Sequence, residues 1–267
     1  MTNEEKLILE IPDYSVVDFG PKKSRFCICI PVINEGNRIK VQLSRMQKYA
    51  NDIDIIIADG GSTDGSTDPD LLRTFGVKTL LIKTGPGKLS AQLRMAYHYA
   101  IINQEYEGVI TIDGNNKDGV EAIPLFIKKL EEGYDFIQGS RFLQGGAAIN
   151  TPLMRLLSIK IIHIPVISFL SGFRYTDTTN GFRAYSKRVI LDSRIQIFRN
   201  IFDTYELLAF LSVKIPGHGY KTVEIPVVRQ YPAAGKIPTK LSFVKGNLTI
   251  LKILFFLILG KYDVKQR

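Results

Sequence analysis

Three carboxylates in this chain of 267 residues stand just after apolar runs, in loops built of turn-forming residues. Asp113 ends the run Gly108-Val109-Ile110-Thr111-Ile112 and is followed by Gly114-Asn115-Asn116-Lys117-Asp118. Asp59 ends Ile53-Asp54-Ile55-Ile56-Ile57-Ala58 and is followed by Gly60-Gly61-Ser62-Thr63-Asp64. Glu35 closes Phe26-Cys27-Ile28-Cys29-Ile30-Pro31-Val32-Ile33-Asn34. Oxygen ligands fixed at a strand end suit a hard cation and leave room for a phosphate beside it. One acidic turn is as readily an Asx turn capping the next helix; three in succession point to a shared site. Gly60-Gly61 lets the backbone approach a ligand closely. Pro31 has no donor and ends its strand's pairing, so Asn34 and Glu35 can point back over the sheet edge.

Near-continuous apolar strands ending in polar clusters belong in a sheet covered on both faces. Helical patterns follow at Arg38 to Ala50, Lys88 to Asn103 and Val120 to Glu132. Strand, polar loop, helix, repeated, predicts a doubly wound α/β domain with a mostly parallel sheet. Its ligand crevice lies at the carboxyl ends of the strands, where all three loops meet. Gly85-Pro86-Gly87-Lys88 opens the second helix, and its N-terminus with Lys88 could receive a phosphate.

Residues 1–150 carry 17 Lys and Arg against 20 Asp and Glu, whereas residues 151–267 carry 18 against 6. The basic half also holds the most apolar segments, Leu156 to Phe173 and Leu248 to Leu259. Lys160, His163 and Pro165 interrupt the first, and the second falls short of the roughly 20 residues a bilayer span needs. Apolar helices with embedded and flanking cations suit the headgroup region of an anionic leaflet; the alternative is a core or homo-oligomer interface. No nucleic-acid motif is present, and the cations are interleaved with aliphatics rather than aromatics, so no nucleic-acid partner is expected. Cys27 and Cys29, two apart on one strand, face one side of the sheet and read as buried thiols. Met1 to Lys23 contains no signal-type apolar run, and a cytoplasmic place, peripheral on the inner membrane face, is expected. No zinc-like cluster or serine nucleophile motif appears.

In this order the residues resemble the glycosyltransferases of family 2, which have the GT-A fold, from about Arg25 to Arg188 with a weaker continuation to about Ser242. Pro31-Val32-Ile33-Asn34-Glu35 is similar to that family's Pro-x-x-Asn-Glu opening, and Asp59-Gly60-Gly61-Ser62-Thr63-Asp64 to its Asp-Asp-Gly-Ser-x-Asp loop. The resemblance implies a nucleotide-diphosphate sugar donor, with Asp59 on the base or ribose. Pro31, Asn34, Glu35, Gly61 and Gly114 would share that pocket, and Lys88 would lie near the diphosphate. Asp113-Gly114-Asn115 falls where the family has Asp-x-Asp, which implies Mg2+ or Mn2+ on Asp113. Asn115 would be a neutral second ligand, and Asp118 could complete the shell.

Phe136-Ile137-Gln138-Gly139-Ser140-Arg141 and Asp177-Thr178-Thr179-Asn180-Gly181-Phe182-Arg183 resemble segments of the polyprenyl-phosphate branch of the family, as does Arg229-Gln230-Tyr231-Pro232-Ala233-Ala234-Gly235-Lys236. They imply Asp177 as the acceptor-side carboxylate, a general base or an orienter, with Asp113 as the other catalytic carboxylate. Arg141, Arg183, Arg229 and Lys236 would bind phosphate. Asp203 and Glu206 are alternates for the base, and Asp203 is expected to cap a helix. The expected acceptor is lipid-linked, of the polyprenyl phosphate type; a glycan hydroxyl is the alternative, and a sugar-nucleotide-binding protein without turnover a third. The expected organisation is an extension (1–24), a GT-A domain (25–242) with an apolar insert at about 151–175, and a C-terminal apolar helix with a basic tail (243–267).

Overall fold

The computed structural model describes residues 7–233 and 243–264. Its strands are β1 (Tyr14–Asp18), β2 (Phe26–Val32), β3 (Asp54–Asp59), β4 (Val77–Lys83), β5 (Gly108–Thr111), β6 (Phe136–Ser140), β7 (Ala147–Ile149), β8 (Arg183–Ser186), β9 (Thr222–Pro226) and β10 (Val228–Gln230). Eight form one sheet in the order β1-β4-β3-β2-β5-β8-β6-β9, and β7 pairs with β10 in a second. Only the β1 and β8 pairings in the large sheet are antiparallel. The expected mixed α/β architecture with a mostly parallel sheet is what the chain adopts. The region set apart as an extension supplies the edge strand β1, paired along β4 from Tyr14–Lys83 to Asp18–Thr79.

Side-chain alternation along the strands divides the core into two. Cys27, Cys29, Ile56 and Ala58 face one cluster, while Phe26, Ile28, Ile30, Ile55 and Ile57 face the other. Both thiols are buried on the same face, as their spacing requires. The first face is covered by α3 (Leu89–His98) and α8 (Glu206–Gly217), the second by α1 (Asn37–Met46) and α4 (Ile123–Glu131). Strand order reverses direction between β2 and β5, so the ligand crevice of such a sheet opens there. The expected strand from Thr222 to Val228 is split. Pro226 ends β9, and Val227, still donating to Ser140 O (2.9 Å), passes the chain into β10. A continuous helical run of 19 residues, Leu153–Ser171, includes a π turn at Ile159–His163 and is long and apolar enough to cross a membrane by length and composition. This is longer than the sequence reading allowed, because Pro165 sits at the second position of a new helical segment, where no donor is needed.

Candidate active site

The loops after β2, β3 and β5 are stitched together before they meet any ligand. Gly60 N donates to Val32 O (2.8 Å), and Gln92 Nε2, from α3 beneath, donates to Val32 O and Ala58 O (3.0 Å each). A Cβ on Gly60 would lie 2.8 Å from that amide, which is why glycine stands there. Asn34 Oδ1 accepts from Thr63 N (2.8 Å), and Asn34 N donates to Ser62 Oγ (3.0 Å). Asp64 accepts from Gly36 N (2.8 Å). Asp59 is buried and accepts from Ser62 N (3.0 Å) and Ser62 Oγ (2.6 Å). The Asp59 carboxylate, expected on a nucleoside, is turned into its own loop by these bonds. Asn34 likewise joins two loops. These side chains shape the rim of the crevice.

The crevice is a cavity of about 770 Å³. Pro31, Val32, Ile33 and Glu35 line it from β2 and its loop, Gly60 from the loop after β3, and Asp113, Gly114, Asn115 and Lys117 from the loop after β5. Gly87, Lys88, Leu89 and Gln92 contribute the start of α3, and Thr204 and Tyr205 the approach to α8. Arg155 enters from α5 (Leu153–Ser158), Thr249 from α9 (Phe243–Ile258), and Arg38 and Arg229 complete the wall. Of the expected site residues, Pro31, Glu35, Lys88, Asp113, Gly114, Asn115 and Arg229 are brought together. Asn34, Asp59, Gly61, Asp118, Arg141, Asp177 and Arg183 are not among the lining residues, and Lys236 lies outside the described ones. Lys117, Arg38 and Arg155 were missed. Only Lys117 carried a signal, since it sits in the Asp113 loop itself.

The floor of the cavity is charged. Strand β10 runs beside the Asp113 loop, with Gly119 N donating to Val228 O and Gln230 N to Lys117 O (2.8 Å each). This fixes Arg229 between two carboxylates: Nη2 donates to Asp113 Oδ2 (2.9 Å) and Nη1 to Asp118 Oδ2 (2.6 Å). Burial pushes the Asp113 carboxyl up, but the charges of Arg229 and Lys117 outweigh it and hold it below the usual carboxylate range. Asp118 is pushed up by burial, which outweighs the opposing pull of Arg229; the Asp113 charge adds to the rise. The Lys117 ammonium, mainly desolvated and next repelled by Arg229, is lowered to about 8.

These residues do not form the near-octahedral oxygen cage that Mg2+ demands. Asp113 already accepts from Arg229, and Asn115 turns its Nδ2 toward Asp113 (3.4 Å) while its Oδ1 accepts from Lys117 N (3.3 Å). Asp118 is corrected as a shell ligand: it is wholly buried on the far side of the guanidinium, and its Oδ1 has no hydrogen-bond partner among the described residues. Among those residues no group of three or more His, Cys, Asp and Glu side chains could hold a metal ion.

Further corrections concern the acceptor side. Asp177 is fully buried and paired bidentately with Arg141, whose Nε donates to Oδ2 (2.6 Å) and Nη2 to Oδ1 (2.8 Å). Neither group can reach a substrate from this pair. Arg183 is consumed by Asn180 O, Thr178 O, Leu208 O and Ser212 Oγ and ties β8 to α8. Asp203 caps no helix; its carbonyl accepts from Lys88 N (3.0 Å). Glu206 accepts from Thr204 N and Oγ1.

A charged crevice lies at the switch point of this sheet, and comparison with known proteins says which class of protein carries such a fold. No protein-family model matches the chain. Polyprenol monophosphomannose synthase of Mycolicibacterium smegmatis is 24% identical over 212 residues, 76% of each chain. Dolichyl-phosphate hexose transferase of Haloferax volcanii is 29% identical over 191 residues, 71% of this chain and 76% of that one. Glucosyl-3-phosphoglycerate synthase of Mycobacterium tuberculosis, solved with Mn2+, UDP and glucosyl-3-phosphoglycerate, shares the fold with a TM-score of 0.56 and 13% identity, over 89% of this chain and 79% of that one. The chain is a glycosyltransferase with the GT-A fold. Within that class its resemblance is to the polyprenyl- and dolichyl-phosphate sugar transferases of family 2.

Proposed function

We propose that the protein transfers a hexosyl group from a nucleoside-diphosphate sugar to a polyprenyl phosphate-type lipid at the cytoplasmic face of a membrane. The observation that carries this reading is the wall of the cavity. Arg155 and Thr249 line it from the two helices that expose the largest apolar side chains, Leu153, Met154, Ile161 and Phe169 on one and Leu248, Phe255 and Leu259 at the end of the other. A lipid phosphate held in the headgroup region would meet the donor there. Such an acceptor is already an anion and needs cations rather than a base. Of the carboxylates lining the cavity, Glu35 is paired with Arg38 (2.8 Å) and Asp113 with Arg229, which disfavours a glycan hydroxyl as acceptor. Direct displacement inverts the anomeric centre.

The test is transfer of labelled sugar to undecaprenyl phosphate in phosphatidylglycerol vesicles, against an oligosaccharide acceptor. Transfer to the oligosaccharide alone sinks the lipid reading. The Mn2+ in the solved neighbour supports a divalent cation in the reaction, while the groups around Asp113 support the protein's own cations; chelation separates the two.

A further inference from the structure

The charge at the base of the cavity is already balanced toward an anion. Five cationic side chains line it against two carboxylates, Glu35 and Asp113, with a third, Asp118, buried behind Arg229. Two of the five act on the Asp113 carboxyl, and neither is a loose surface chain. Arg229 is 7% exposed and held by two carboxylates and by its strand's bonds to residues 117 and 119. Lys117 is 6% exposed, its ammonium 5.0 Å from the centre of the Tyr231 ring. A divalent ion bound at Asp113 would stand close to the Arg229 guanidinium, whose Nη2 is 2.9 Å from Asp113 Oδ2. The neutral Asn115 withholds the second negative charge that would offset this.

We infer that Arg229 and Lys117 supply the positive charge that neutralises the donor diphosphate, so that nucleoside diphosphates bind, and leave, without a divalent metal. This rests on the donor-site reading above. After its bonds to Asp118 and Asp113, Arg229 keeps a second N–H on each Nη for phosphoryl oxygens, and Lys117 adds a point charge beside it. Asp113 and Asp118 are then positioning residues that aim the guanidinium.

The test is binding of UDP and GDP to the full chain, by calorimetry, in EDTA and in Mn2+. The affinity in EDTA is expected within about fivefold of that in Mn2+, and a larger advantage for Mn2+ overturns the inference. Lys117→Met is expected to weaken binding by about tenfold or more in EDTA; undiminished binding overturns the role of Lys117. Asn115→Asp restores the missing charge and is expected to make affinity rise with Mn2+; no such rise shows that the single carboxylate was not what kept a metal away. Should neither nucleotide bind under any condition, the donor reading itself falls and this inference with it. Tight binding that requires Mn2+ would overturn the inference alone and leave the donor reading intact.

Discussion

Asp177 has no exposed side-chain surface, and both its oxygens face Arg141. Arg141→Met would strand that carboxylate in the interior, and the loss of folding stability in urea is expected at about 3–5 kcal/mol. Adding Asp177→Leu should recover most of that loss, because the buried charge goes with its partner. Burial raises the Asp177 pKa, but hydrogen bonds and charge from Arg141 lower it further, to a net value below the usual one. A carboxyl lowered in the folded state stabilises it above the unfolded value of about 3.9 and loses that contribution as pH falls through the lower folded value. Acid unfolding of the wild type should therefore show this group's share below about pH 4, and the double variant should lack it. Gly181 faces the opposite problem: a Cβ there would stand 2.7 Å from Asp113 Oδ1. Gly181→Ala should displace Asp113 and lower transfer by about tenfold or more, with UDP affinity falling in parallel.

The loop before α3 shows how an element places the site. Gly87 has φ +100°, and a Cβ would approach Ala91 Cβ and Asp203 Oδ1 to 2.5 Å each. Gly87→Ala is expected to cost about 1–3 kcal/mol in thermal or urea unfolding and to move Lys88 off the cavity. This loop, the three strand-end loops and their helices were legible, because apolar runs closed by Gly, Pro, Asn and Asp have few structural readings. The helix expected from Arg38 to Ala50 is α1 followed by a 3-10 turn at Gln47–Tyr49, and that expected from Lys88 to Asn103 is α3 followed by a π turn. Which carboxylates face the cavity was not legible. Asp59, Asp118 and Asp177 carry the same motif signal as Asp113, but Ser62 in its own loop turns Asp59, and the distant Arg229 and Arg141 turn Asp118 and Asp177. The pairing of β10 with β7 joins Val228–Gln230 to Ala147–Ile149, and no local pattern foretells such a contact.

At the scale of the molecule, the basic half and the exposed apolar helices lie together in sequence, and each of those helices contributes a residue, Arg155 or Thr249, to the cavity wall. Only 17% of the Leu153–Ser171 window is buried, with Phe169 87% and Ile161 67% exposed. Residues 151–267 carry the entire positive excess. Anionic lipid would attract the cations and receive the apolar side chains, and the two contributions respond differently to conditions. Raised salt screens the first and leaves the second. Flotation with phosphatidylglycerol vesicles should therefore weaken, but not vanish, at high ionic strength. Phe169→Glu with Ile161→Glu removes apolar contact worth about 1.5–3 kcal/mol for each fully buried side chain, so vesicle affinity should fall by about tenfold or more. Because both side chains are exposed, thermal unfolding and UDP binding should stay as in the wild type. Undiminished flotation of this double variant would mean that the exposed helix faces another protein surface, and transfer to a vesicle-borne lipid phosphate would then have to proceed without it. If the membrane reading holds, the same variant should lose transfer to undecaprenyl phosphate in vesicles yet keep transfer to a short-chain, water-soluble polyprenyl phosphate, since only delivery of the acceptor has been impaired.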